Sequence, residues 1–120
     1  MKDSVSHWID EAAAASRYFT ADDVWTAIAE KRAQLWLAWS DIPEAVCVTQ
    51  IEATSKGKHC HIWIMVGQNM QGWHHLMNDL ETWAKREGCT MMRHEARPGW
   101  SRVLKTYGYE CPHLILEKMI

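Results

Sequence analysis

Histidine and cysteine carry most of the reactive chemistry available to this chain, which holds seven of the first and four of the second. The tightest groupings are Cys60-His61, His74-His75 and Cys111-Pro112-His113, with His59 and His61 two residues apart. Zinc sites of the finger type take paired ligands two to four residues apart, in two sets. Only Cys111/His113 and His59/His61 come near that spacing, so no metal site is expected. A nucleophilic thiol needs a neighbouring base and a depressed pKa, and here histidine meets cysteine only by chain adjacency. Cys47, Cys60, Cys89 and Cys111 are scattered, with no C-x-x-C pair. They are expected as reduced thiols, mostly buried as small apolar groups. Arg93, Arg97, Trp100 and Arg102 offer cations and an indole to a nucleic acid. The net charge of −2 and pI near 6.4 provide no basic stripe to support that use.

What positions these residues is a chain of 120 amino acids, enough for one domain, 1–120, with a single core. Runs of like charge are absent, no apolar run nears the ~20 residues of a membrane span, and the N-terminus lacks a signal-peptide core. A soluble, intracellular protein is expected. Eight tryptophans are the compositional oddity. Each can bury ~200 Å² in a core, or line an interface with a partner or a second copy.

Val5, Trp8, Ile9, Ala12, Ala13 and Ser16 fall at helical spacing, which predicts a first helix over 3–17. Thr20 can cap a second, with Asp22 and Asp23 at its positive end and Val24, Trp25, Ile28 and Ala29 on its buried stripe. The period then shortens. Strands are predicted over 34–39 and 45–53, the first closed by a turn at Pro43. Residues 55–58 are a hairpin turn, with Gly57 supplying positive φ, and 59–66 form a third strand. Simple alternation places Cys60, Ile62, Ile64 and Val66 on one apolar side and His59, His61, Trp63 and Met65 on a mixed one. The three strands should form an antiparallel meander. A long helix over 70–86 follows from Trp73, Leu76, Met77, Leu80, Trp83 and Ala84, with Gly88 after its end. Residues 89–95 read as a strand, Pro98 opens a short helix bearing Trp100, Val103, Leu104 and Tyr107, and 109–120 are expected to close the sheet.

That order of elements, together with Glu95-Ala-Arg97-Pro-Gly99-Trp100 and Gly108-Tyr109 near the end, resembles the GCN5-related N-acetyltransferase (GNAT) superfamily, especially its short members encoded in phages and prophages. The resemblance covers about residues 20–120, with the helix within 1–19 standing where the family has its first strand. It implies an α+β fold: a mixed, mainly antiparallel sheet, two N-terminal helices, a long central helix and a short C-terminal one. It also implies an acetyl-CoA site in the loop that opens the long helix, where the family carries Gln/Arg-x-x-Gly-x-Gly/Ala. Backbone amides and a helix N-terminus hold a pyrophosphate in such a loop. Counted without gaps, the motif falls on Gln68-Asn69-Met70-Gln71-Gly72-Trp73. Gln68 matches. Gln71 and Trp73 stand at the two small-residue positions, and an indole there conflicts with an approaching pyrophosphate. The family's proton donor, a tyrosine four residues before the glycine of the Gly108-Tyr109 turn, is Leu104 here, and Tyr107 lies closer to that glycine. His61 is the candidate base: an imidazole whose ordinary pKa lies near 6.5 can take a proton from an amine, directly or through water.

Two functions are consistent with these residues. One is a phage-type GNAT-fold protein without catalysis, a binding or structural module in virion assembly or inside the virion, docking a protein partner or itself through tryptophan-rich surface. It would reside in the host cytoplasm or the virion, and would not be stabilised by acetyl-CoA. The other is an acetyl-CoA-dependent N-acetyltransferase with an atypical loop. Gln68 and the amides of 69–73 would then bind cofactor, His61 would act as base, and the acceptor amine would lie where the third and fifth strands splay apart.

Overall fold

The computed structural model describes residues 2–39, 41–67, 73–96 and 98–120, with side chains for all of these but 2–4, 73, 74, 98 and 99. The elements are α1 (Lys2–Ala15), α2 (Ala21–Ala29), β1 (Gln34–Trp39), β2 (Pro43–Thr54), β3 (Gly57–Gly67), α3 (Trp73–Arg86), β4 (Cys89–His94) and α4 (Pro98–Lys105). Their order is the expected one as far as α4. The strands make one sheet in the order β1-β2-β3-β4. The first three are the antiparallel meander, and β4 runs parallel to β3. A parallel neighbour requires a crossover, and α3 supplies it.

Local chemistry sets the boundaries. The Thr20 hydroxyl accepts from the Asp23 amide at 3.2 Å while the Asp23 carboxylate accepts from the Thr20 amide at 2.9 Å. This reciprocal box satisfies two free donors at the start of α2. Gly57 sits at φ 134° beyond the β2–β3 turn, a conformation that suits glycine. A Cβ on Gly67 would lie 2.5 Å from the Ala45 Cβ and 2.6 Å from the Glu44 carbonyl, so β3 ends in close contact with β2 only because this residue lacks a side chain.

Both faces of the sheet are covered. On one, Val5, Trp8 and Ile9 of α1 and Val24 and Ala27 of α2 pack on Val46, Val48 and Ile64. On the other, Leu76, Met77 and Leu80 of α3 and Leu104 of α4 pack on Ala45, Cys47, Ile62 and Met65. The side assignment for β3 departs from simple alternation. Val48 faces Ile64 but Thr49 faces Ile62, so Trp63 is an extra residue in the ladder. A bulge of one residue reverses every side chain beyond it. Cys60 and Ile62 therefore face α3, whereas Trp63, Ile64 and Val66 face α1 and α2.

The tryptophans are mostly interior. Trp8 is buried, Trp63 meets Phe19 edge-on at 5.1 Å, and Trp36 meets Trp83 at 5.2 Å while its Nε1 donates to Thr49 at 2.9 Å. Among the described tryptophan side chains Trp39 is exposed, and Trp25, Trp36, Trp63, Trp83 and Trp100 are partly buried.

The expected closing strand is the main departure. Residues 109–120 take no regular structure, and 110–120 are exposed throughout. Tyr109 is drawn into the core with Leu104 and Trp100, and Pro112 has no amide to give a ladder. Leu114-Ile115-Leu116 is apolar in succession, so a strand there needs cover on both faces.

Candidate functional site

β4 accompanies β3 only from Lys58 to Ile62, which pairs with His94, the last residue of β4. β3 continues to Gly67 against β2 alone. Pairing of the two strands thus stops at Ile62, and the end of β4 beside the continuing β3 is called the wedge here. The splay is expected between the third and fifth strands, and the fifth does not form.

His61 stands at the vertex of this wedge. Its neighbours Cys60 and Ile62 face α3, so it points to the α1/α2 side, and Arg93 is its partner on β4. Across the hairpin, Glu52 bridges two histidines: its Oε1 lies 3.2 Å from His61 Nδ1, and its Oε2 lies 3.1 Å from His59 Nε2. The His61 contact is close but outside hydrogen-bonding geometry, which leaves a buried Nδ1 without a partner. Burial holds the His61 pKa below its ordinary value. Glu52 opposes that shift, Arg93 reinforces it and Glu95 opposes it again. The ring, with its side chain only 16% exposed, is therefore a neutral base at pH 7.

Two further polar atoms near the wedge are buried and unpartnered, His94 Nδ1 and the Tyr109 hydroxyl. Burial pushes the His94 pKa down to about 4, the nearby His61 adds to this, and Glu95 offsets part of it. Burial raises the Tyr109 pKa well above that of an ordinary phenol, with Glu81, Cys47 and Cys60 contributing, so the hydroxyl stays protonated. His94 has the strand parity of Met92, which packs on the α3 side, and Tyr109 joins the core of that side. The wedge thus has a neutral base on one side and a protonated hydroxyl on the other. Buried polar atoms without partners are few in folded proteins and call for an explanation.

The other expected site residues fare unequally. Gln68, Asn69, Met70, Gln71 and Gly72 lie outside the described residues, and Trp73 is described in its backbone alone, as the first residue of α3. The helix therefore opens one residue after Gly72 in sequence, and its first turn carries no acidic residue. Leu104, at the family's acid position, is buried in the α3/α4 core, and Tyr107 packs against the same cluster. Sequence reasoning missed Glu52, His94 and Tyr109. Glu52 was within reach of it, because counting back from the Thr54–Gly57 turn places Glu52 opposite His59. Among the described residues no three His, Cys, Asp or Glu side chains are grouped so as to hold a metal ion. No described helix is long and apolar enough to cross a membrane.

No family model and no curated protein matches the sequence. Solved structures do match the fold. A candidate acetyl transferase from Pyrococcus furiosus superposes with a TM-score of 0.77 at 14% identity, covering 99% of this chain and 93% of its own. An acetyltransferase from Trypanosoma brucei gives 0.75 at 9% identity, covering 98% and 92%. Glucosamine-6-phosphate N-acetyltransferase from Arabidopsis thaliana gives 0.73 at 13% identity, covering 98% and 90%. At these identities the likeness establishes the fold, which is GNAT-like, and fold alone does not fix function.

Proposed function

We propose that the chain binds acetyl-CoA at the β3–β4 wedge and transfers the acetyl group to an amine, with His61 as the base. The observation that carries this reading is the set of buried polar atoms about the wedge, His61 Nδ1 against the Glu52 carboxylate and the unpartnered His94 Nδ1 and Tyr109 hydroxyl, in a fold shared with acetyltransferases. One feature of α3 supports such a cofactor, against the unfavourable Gln71 and Trp73 of the loop that leads into it. An α3 N-terminus free of acidic side chains is suited to a polyanion, and the Gln68–Trp73 segment leads into it. When bound, acetyl-CoA supplies an acyl group activated as a thioester. Neutral His61 accepts the proton lost by the attacking amine, and the Glu52 carboxylate stabilises the imidazolium that results. A thiolate released there would need a proton, and Tyr109, whose hydroxyl stays protonated on the α3 side, would be the residue to supply it.

Thermal unfolding with acetyl-CoA and with CoA tests the binding step. Ligand at a hundredfold above its dissociation constant adds about 2.7 kcal/mol to stability. His61→Ala should keep that stabilisation while losing about 10²-fold or more in turnover. A variant as active as the parent would remove His61 from the mechanism.

A second reading keeps the GNAT fold without catalysis, as a binding or structural module. It is favoured by one observation: buried Leu104 occupies the position of the family's proton donor. A virion-associated role belongs to this reading and rests on analogy with short phage-encoded members. No stabilisation by acetyl-CoA or CoA, together with no turnover on any amine, would select it.

A further inference from the structure

We infer that a cleft beside the start of β1 recognises the acceptor, and that the acceptor is a zwitterion, an amine that also carries an anionic group. The inference rests on the acetyl-transfer reading for what becomes of the amine, and on the cleft's own charges for what binds. The cleft holds about 500 Å³ and is lined by Lys31, Arg32, Gln34, Gln50, Ile51 and Glu52, a size that suits a small molecule. It forms because β1 starts late. Pairing of β1 with β2 begins at Gln34, opposite Thr49, whereas β2 runs on to Thr54 beside β3. The outer edge of 50–54 therefore keeps backbone donors and acceptors that β1 does not take up.

Charge in the cleft is divided. Its two cations come from the α2–β1 connection and its one carboxylate from β2. Lys31 is held there against its backbone preference. The Lys31 amide donates to the Ile28 carbonyl at 3.1 Å and the Arg32 amide to the Ala27 carbonyl at 2.8 Å, the paired bonds that close a helix through a left-handed residue. Lys31 is that residue, at φ 63°, and no other non-glycine among the described residues has a positive φ. Glycine fills such a place at lower cost, and strain of this kind points to a role for the side chain. Among the described residues the Lys31 side chain makes no ion pair. Arg32 meets Glu30 at 3.1 Å on open surface, and a guanidinium has further donors to offer. Gln34 accepts from Thr49 through Oε1, which leaves its NH2 as a donor for the cleft.

At the other end, Glu52 meets the His61 and His59 rings, and among the described residues it pairs with no lysine or arginine. A carboxylate that lines the cleft and touches the base suits an ammonium, because it holds the amine beside the ring that takes its proton. Gln50, also in the lining, is the register partner of His61. An anion alone would meet Glu52 unfavourably, and a plain amine would leave Lys31 and Arg32 unanswered. A ligand with both charges satisfies the whole lining.

Titration of the isotope-labelled full chain with O-phosphoethanolamine and with β-alanine, without acetyl-CoA, reads this by NMR. Saturable shifts should centre on the amides of Lys31, Arg32 and Gln50–Glu52. Ethanolamine and inorganic phosphate should each bind about tenfold more weakly, since each answers one charge only. The two zwitterions distinguish a phosphate-bearing acceptor from a carboxylate-bearing one. Lys31→Gly should weaken the binding of both by about tenfold while melting no lower than the parent, because glycine relieves the left-handed strain. Three results would overturn the inference: ethanolamine or phosphate binding as tightly as the zwitterions, no shifts at Lys31 and Arg32 with either zwitterion, or parental affinity in Lys31→Gly. Acetylation assays separate the cleft from the reading it rests on. Acetylation of ethanolamine as readily as the zwitterions would overturn the cleft's role and leave acetyl transfer standing. Zwitterion binding without acetylation would support the cleft and contradict acetyl transfer.

Discussion

β2 and β4 flank the same strand, and the contrast between them divides the molecule. β2 accompanies β3 from Gly57 to Gly67, and along the way the Thr49 hydroxyl is bonded on both sides, accepting from Trp36 and donating to Gln34, each at 2.9 Å. β4 leaves β3 after Ile62, and beside that departure sit buried nitrogens and a hydroxyl with no partners. Among the described residues, no buried side-chain polar atom of β1 or β2 lacks a partner. On the other side, such atoms gather where β3–β4 pairing ends. Unsatisfied burial costs about 1–3 kcal/mol per group, a cost the closed side avoids and the open side carries. Satisfied polar groups and unsatisfied ones thus lie on opposite flanks of one strand, and the proposed chemistry belongs to the second.

The largest effect should come from the closed side. Leu80 is fully buried against the sheet, so Leu80→Ala should remove about 2–5 kcal/mol of unfolding free energy, measured by urea denaturation. A cost below 1 kcal/mol would mean that this core is loosely packed and the contrast overdrawn. On the open side the signature is pH dependence. The His94 pKa is depressed in the folded state to about 4, so its contribution is complete above the unfolded value near 6.5 and is lost as pH falls toward 4. Over that window the parent should lose up to about 3 kcal/mol more than His94→Gln. Equal slopes for the two proteins would show that His94 is not held neutral.

Smaller effects sharpen the picture. Thr20→Ala breaks the box at the start of α2 and should cost about 1 kcal/mol at all pH values, since it touches neither flank of β3. Glu52→Gln should lower the His61 pKa further, because the carboxylate opposes the shift that burial imposes. Imidazole resonances followed by NMR would report it, and an upward movement would contradict the assigned pairing.

Much of this was legible in the residues. Apolar spacing and capping chemistry suffice for every element through α4, since a long stripe such as Trp73, Leu76, Leu80 and Trp83 has one periodic solution. The bulge at Trp63 was not legible. An aromatic fits either side of a strand, and the partner that skips it lies at Thr49, fourteen residues away. The fate of 109–120 was hidden for a different reason: Leu114-Ile115-Leu116 reads as a strand by composition, while the anchoring of Tyr109 in the α3/α4 core is visible only in the fold. The site was half visible. His61 follows from its type and strand, whereas Glu52 looks like an ordinary solvated charge until the hairpin register carries it to the histidines. Tyr109 escapes any count along α4 because it lies past Gly108, where the helix has ended.

The proposed acetyl transfer requires the open flank of β3 to hold a ligand. Calorimetric titration of the full chain with acetyl-CoA tests it most directly. Saturable binding at one site per chain, weakened when Gln68 and Gln71 are both changed to glutamate, is the predicted result. No heat and no thermal stabilisation with millimolar acetyl-CoA or CoA would contradict it.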